Sequence, residues 1–332
     1  MPTDCNIHPG TLPAFVNTRI AMITAAKRAL SHLPVLRPWA WLLLLSLLVT
    51  GYQMRALHLD DRLYYWLTTP ATSEWAPDSL LSRDYKVQLD AKVVSGVSDN
   101  LSGLSYDEQR DQLWAVLNNP EELLAMSKDG EVLARYPLSG FSDVEGVTYL
   151  GDGLLLLAEE RDHALVVVPV PERSGALFRE DYRALTLGIQ LDGNQGFEGV
   201  GYDRARDRLF VVKEHSPMKL YEIRGLKSSM NGNFGLEIID HDDWIRDSVF
   251  ATDLSSVHFD ERTGHLALLS DESKRIMELD GDSGKLIGFR TLDSDFAGLG
   301  KSVPQGEGMT FDDEGNLYIV SEPNLFYRFG RS

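Results

Sequence analysis

The stretch "GEGMTFDDEGNLYIVSEP", residues 306 to 323, decides the architecture. Met309-Thr310-Phe311 and Leu317-Tyr318-Ile319-Val320 are short runs of strand-forming residues, and Asp312-Asp313-Glu314-Gly315-Asn316 between them is turn chemistry. The first strand of this hairpin opens on Glu307 and the second closes on Glu322. The same pattern occurs four times upstream: "LSGLSYDEQRDQLWAVLNN" from Leu101, "VEGVTYLGDGLLLLAEE" from Val144, "FEGVGYDRARDRLFVVKEH" from Phe197 and "LSSVHFDERTGHLALLSDE" from Leu254. The equivalent small residues Gly103, Gly146, Gly199, Ser256 and Gly308 are 43, 53, 57 and 52 residues apart. Periods of this length, filled with short strands, describe propeller blades rather than helical repeats.

The remainder of each repeat supplies two more strands. Leu123 to Met126 and Glu131 to Tyr136 flank "SKDG", and "RIMELD" and "KLIGFRTL" flank "GDSG". The fifth repeat ends one strand short at "LFYRFG", while "DYKVQLD" precedes the first hairpin, so Tyr85 to Leu89 is expected to complete the last blade. Closure by both termini removes two sheet edges. The expectation is an all-β, five-bladed β-propeller of four-stranded blades. A sixth blade would have to lie in the interval 161 to 197.

Stacking the hairpins places Ser102, Glu145, Glu198, Ser255 and Glu307 at the starts of the inner strands. Counting five places from the leading Leu of each second strand gives Asn118, Glu159, Glu214, Asp271 and Glu322. An antiparallel hairpin brings its two ends together, so ten positions converge on one mouth of the channel, and seven of them are acidic. At an effective dielectric of about 20, two like charges 4 Å apart cost roughly 4 kcal/mol. Protons, basic partners or a metal must offset this. Hard oxygen donors in an irregular cage favour Ca²⁺ over Mg²⁺. The expected metal ligands are therefore Glu145, Glu198, Glu307, Glu159, Glu214, Asp271 and Glu322. The structural alternative is that these glutamates cap backbone amides or pair with Lys213 and Arg161. Asp107, Asp203, Asp260 and Asp312 read as turn residues, and Trp114, Phe210 and Tyr318 as packing between strands. His215 and His258 are placed near the acidic positions. No G-x-S-x-G elbow, phosphate-cradling loop or zinc-spaced His cluster is visible.

Composition bounds the partners. The 332 residues hold 50 acidic and 32 basic side chains, net −18, which excludes a nucleic-acid-binding role. The single cysteine, Cys5, excludes an internal disulfide framework. Residues 38 to 54 are 17 uncharged residues between Arg37 and Arg55, edged by Trp39, Trp41 and Tyr52. This reads as a single uncleaved transmembrane anchor. Arg19, Lys27, Arg28 and Arg37 on its N-terminal side predict a cytoplasmic N-terminus and an exported C-terminal part, periplasmic in a bacterium with the helix in the inner membrane. The expected organisation is a cytoplasmic segment 1–37, an anchor 38–54, a tether 55–80 and a propeller 81–332. Beyond Asp78 there are 26 basic and 45 acidic residues, so the acidity belongs to the propeller.

With "GLSYD", "VEGVTYL", "FEGVGYD" and "GEGMTFD…LYIVSEPN" following one apolar segment, the chain resembles the SdiA-regulated (YjiK-like) proteins of Gram-negative bacteria over about residues 80 to 330. The resemblance implies a membrane-anchored or periplasmic β-propeller of undefined biochemical role. The acidic hairpins are more distantly similar to phytase-like and lactonase-like propellers. That similarity implies Ca²⁺ in the channel, although those enzymes typically have six blades and this chain has no run of Lys and Arg for a phosphorylated substrate. Two functions stay open: a binding module of unknown small-molecule or protein ligand, and a Ca²⁺-dependent phosphoesterase or lactonase. In the second, Glu145, Glu198, Glu214 and Glu307 would be ligands, with Glu159, Asp271 or Glu322 as base.

Overall fold

The computed structural model describes residues 37–56, 79–81, 85–188, 196–214, 217–230, 232, 234–294 and 297–331. The chain divides into two compact units, Met1–Tyr64 and Tyr65–Ser332.

In the first unit, Pro38–Ala56 is a helix of 19 residues. The side chains of Leu42, Leu45, Leu47 and Leu48 are 58–69% exposed. No described helix is long and apolar enough to cross a membrane, which does not support the expected transmembrane span. The physical reason is the composition of the last turns, where Thr50, Gly51, Gln53 and Arg55 interrupt the leucine run.

The second unit is a ring of five antiparallel blades. The inner strands are Leu101–Asp107, Val144–Gly151, Phe197–Asp203, Ser256–Asp260 and Gly306–Phe311, and each lies against the inner strands of both neighbouring blades. Tyr85–Val93 pairs antiparallel with Leu325–Arg331, so the N-terminal strand completes blade 5 as its sequence position requires. The interval after residue 161 contains the third strand of blade 2, Ala164–Pro169, and its fourth, Ala184–Thr186. Leu177–Phe178 instead adds in parallel to the edge of blade 1. Five blades therefore account for the described strands.

Alternation along the strands explains the core. One face of each blade meets the next blade, and five apolar clusters fill the five interfaces. Trp114 packs between blades 1 and 2, Phe210 between 3 and 4, and Tyr318 between 5 and 1, all at most 1% exposed. The turn aspartates act as their positions predict. Asp312, for example, accepts the backbone N–H of Glu314 and Asn316 and the Tyr318 hydroxyl. Asp107 likewise accepts the N–H of Gln109 and Arg110 and the Trp114 indole.

Midway along the inner strands the chains approach too closely for side chains. A Cβ on Gly146 would lie 2.4 Å from the carbonyl oxygen of Glu198, and one on Gly199 would lie 2.5 Å from Cα of Ser256. These small residues lie between the two mouths of the channel, one at the strand starts and one at the strand ends.

Candidate metal centre and the opposite mouth

At the strand starts the ladder breaks in a way that aims the acids. Pairing shifts register between Ser102 and Leu104, Val144 and Gly146, Phe197 and Val200, and Gly306 and Gly308. Such bulges bend a strand and re-aim a side chain. Each interruption falls on or beside the candidate acid of its blade, including Glu145, Glu198 and Glu307.

Carboxylate oxygens of Asp143, Glu145 and Glu160 lie within 4.8 Å of one another. Glu198 is 9% exposed beside them, and burial pushes its carboxyl well above the usual range. The charges of Glu145, Glu160, Glu214 and Glu307 add to that shift. Glu160 is raised by burial against a hydrogen bond from the Gly196 N–H, 3.1 Å away, and it hydrogen-bonds with Glu198. Glu145 is also raised by burial, although the Asn118 amide donates to its Oε1 at 2.5 Å. On the other side of the mouth, burial pushes Glu307 up to about 8, with Asp271, Glu322 and Glu145 contributing. Glu322 is raised by burial, with Asp99, Glu145 and Asp271 adding. Asp271 accepts the Gly306 N–H at 2.9 Å and the Lys274 ammonium at 2.7 Å.

One expected ligand is displaced. Glu159 does not face the mouth: its Oε2 accepts from Arg179 Nε at 2.8 Å and its Oε1 from the Ser142 N–H at 3.2 Å. Glu159 pairs with Val144 in the ladder and shares that residue's side, whereas Glu145 sits in the bulge. The neighbouring Glu160 takes the place in the ring. The run Leu154–Leu155–Leu156–Leu157 misled the count, because Leu155 rather than Leu154 is the leading Leu of that strand. Seven of the ten positions remain acidic with this correction. Asp143, which holds a left-handed φ of 55° just before the strand, was missed because it lies outside the repeat.

Basic partners stand at the edge. Arg161 pairs with Asp143 at 2.9 Å, and the charges of Glu214 and Glu160 act on Lys213, whose pKa is lowered by burial. No Lys, Arg or His ion-pairs with Glu145, Glu198 or Glu307 among the described residues. The donor set fits a divalent cation that takes oxygen ligands at 2.3–2.6 Å, since two oxygens on one such ion can be up to about 5 Å apart. Asp143, Glu145 and Glu160 would hold it, supplying a positive charge to carboxylates that otherwise need protons.

His215 lies outside the described residues. His258 does not accompany the acids. It lines a cavity of about 220 Å³ at the opposite mouth, with Thr310 Oγ1 3.3 Å from its Nδ1. Burial holds its pKa down at about 4, so the ring is neutral near pH 7. Glu108, which the sequence places on an outer turn, also belongs to this mouth, where it pairs with Arg204. Nothing in a single hairpin signals this cavity.

The fold and the two mouths define a five-bladed propeller with an acidic entrance and a polar cavity on opposite ends of one channel. The chain belongs to the SdiA-regulated family, whose model matches residues 77–330. Among solved structures it is similar to glutaminyl cyclase of Myxococcus xanthus, at 13% identity over 74% of this chain and 95% of that one, with a TM-score of 0.49. It is similar to a luciferin-regenerating enzyme at 11% identity over 74% and 95%, TM-score 0.48. A gluconolactonase of Xanthomonas campestris matches at 13% identity over 79% and 97%, TM-score 0.46. These are likenesses of fold alone.

Proposed function

We propose that the protein is a binding module that holds Ca²⁺ at its acidic mouth. The observation that carries this reading is the group Asp143, Glu145 and Glu160, with oxygens within 4.8 Å, backed by a buried Glu198 that has no basic partner among the described residues. A cation there offsets repulsion that would otherwise be relieved only by protons. The second reading, a Ca²⁺-dependent hydrolase using the same carboxylates, would need an open metal position with a substrate cavity beside it. Attachment to the bacterial inner membrane through Pro38–Ala56, with the propeller in the periplasm, belongs to the same proposal. The exposed leucines of that helix and the basic residues before it support the attachment.

The test is the metal content of purified protein, followed by melting after chelation and re-addition of Ca²⁺ or Mg²⁺. Ca²⁺ should raise the melting temperature more than Mg²⁺, and Glu145→Gln and Glu198→Gln should weaken the response. A chelated protein that melts identically with and without Ca²⁺ would show that the carboxyls are held by internal hydrogen bonds and protons. For the attachment, the protein should stay with membranes through a high-salt wash and lose that association when residues 38–56 are deleted.

A further inference from the structure

The strand-end mouth carries chemistry of a different kind. The position three residues after each inner-strand acid or serine is Ser105, Thr148, Gly201, His258 and Thr310. Four of the five side chains can hydrogen-bond, and all four line the 220 Å³ cavity. Thr148 is 6% exposed, and its hydroxyl has no hydrogen-bond partner among the described residues. The Ser105 hydroxyl accepts the Tyr149 N–H at 2.9 Å, and that of Thr310 accepts the Tyr106 N–H at 3.2 Å. The Ser105 hydroxyl still has a proton to give, while that of Thr310 also shares a hydrogen bond with His258 Nδ1, 3.3 Å away. Among the described residues Nδ1 of His258 has a partner and Nε2 has none. The Thr148 hydroxyl opens onto the cavity, where a ligand or water can meet it.

Most charged groups around this floor are matched, whereas Asp313 has no ion pair among the described residues. Arg204 spans the mouth from Glu261, at 2.8 Å, to Glu108 on blade 1. Arg262 pairs with Asp260 at 3.0 Å. The rings of Tyr106 and Tyr202 form part of the wall, with their hydroxyls tied to Asp111 and Asp207 at 2.8 and 2.7 Å. The lining holds five carboxylates against two arginines, so an anion entering would meet net negative charge over a floor that offers none to offset it. A molecule carrying several hydroxyl groups would match the unspent donors and acceptors one for one. The volume equals that of about seven waters at ~30 Å³ each, which suits a single sugar ring.

We propose that the strand-end mouth binds a small uncharged polyhydroxylated molecule of monosaccharide size, with Thr148, Ser105, Thr310 and His258 as its hydrogen-bonding floor. This inference is independent of the metal reading, because it rests on residues of the opposite mouth.

The experiment titrates the full-length protein with D-glucose, D-ribose and myo-inositol, with citrate and putrescine as charged comparators. Calorimetry reads affinity, and NMR follows the imidazole signals of His258. At least one neutral probe should bind saturably and shift the His258 signals. Thr148→Val keeps the shape and removes the hydroxyl, so it should weaken that binding roughly tenfold, the worth of one hydrogen bond. Glu237→Gln, exposed on the outermost strand of blade 3, should leave it unchanged. No saturable binding of the three neutral probes overturns the proposal. So does binding that leaves His258 unperturbed or ignores Thr148→Val, and so does capture of only citrate or putrescine. Because the His258 readout uses the unmutated protein, the proposal stays testable even if Thr148→Val folds poorly.

Discussion

The two mouths of the channel are built from the same five strands and differ in what happens to charge. At the strand starts, bulges bring Glu145, Glu198 and Glu307 together with no basic partner among the described residues, and burial drives their carboxyls toward the protonated state. At the strand ends, Arg204 and Arg262 pair with the rim carboxylates, and the floor beneath them is neutral. Three residues of a strand therefore separate a mouth crowded with carboxyls from a floor of hydroxyls and a neutral imidazole. The lesson is that a repeat duplicates backbone positions, while chemistry depends on which face each position presents.

The largest expected effect comes from crowding the small residues between the mouths. Gly199→Ala places a Cβ against the backbone of blade 4, 2.5 Å from Cα of Ser256, which cannot move aside as a side chain could. Overpacking of this sort should cost about 3 kcal/mol or more, read as a fall in urea midpoint. Gly188→Ala, with no atom within 4 Å, should cost little. Equal midpoints for the two variants would mean that the inner strands are not packed as described.

Next in size is the cation response. At a hundredfold excess over Kd, Ca²⁺ should stabilise the domain by about 2.7 kcal/mol. Glu145→Gln should diminish that gain, whereas Thr148→Val should leave it intact. A similar loss in both variants, followed by calorimetric melting, would erase the distinction between the mouths.

The metal-free protein should also show opposite pH responses. Glu307 has its pKa raised to about 8 from 4.5. The folded state then binds the extra proton between those values, and stability rises as pH falls from 8 toward 4.5. His258 has its pKa lowered to about 4 from 6.5. The unfolded state then binds the extra proton, so stability falls as pH drops from 6.5 to 4. One proton corresponds to a slope of about 1.4 kcal/mol per pH unit. Glu307→Gln should flatten the limb between pH 6.5 and 8, and His258→Gln the limb below 6.5, in chemical denaturation at fixed ionic strength. If neither limb changes, these groups are not buried as described.

The smallest effect concerns the rim. Glu108→Gln removes one partner of the half-buried Arg204 while Glu261 keeps the other. The loss should stay within about 1 kcal/mol and shrink with added salt. A much larger, salt-independent loss would mean that the Arg204 bridge supports the fold rather than frames the cavity.

Much of this was legible in the chain itself. Five recurrences of a hairpin with Gly and Asp turns determined the number of blades. The missing strand after "LFYRFG" determined that Tyr85 onward must close the ring, because an unpaired edge is an aggregation hazard. The acids at the strand starts were visible because local repeats expose them directly. Register was not. In the run of four leucines from Leu154, period-two alternation has no polar residue to set its phase, so Glu159 and Glu160 could not be told apart until the bulge at Glu145 was seen. Asp143 and Lys274, which pairs with Asp271, lie outside the repeat and enter only through folding. The cavity was invisible for a stronger reason: its floor takes one residue from each of four blades, spread from Ser105 to Thr310, and only closure of the ring makes them neighbours. Burial then decided the state of each titrating group, lowering the pKa of His258 at one mouth and raising that of Glu307 at the other, because the same desolvation disfavours whichever form carries charge.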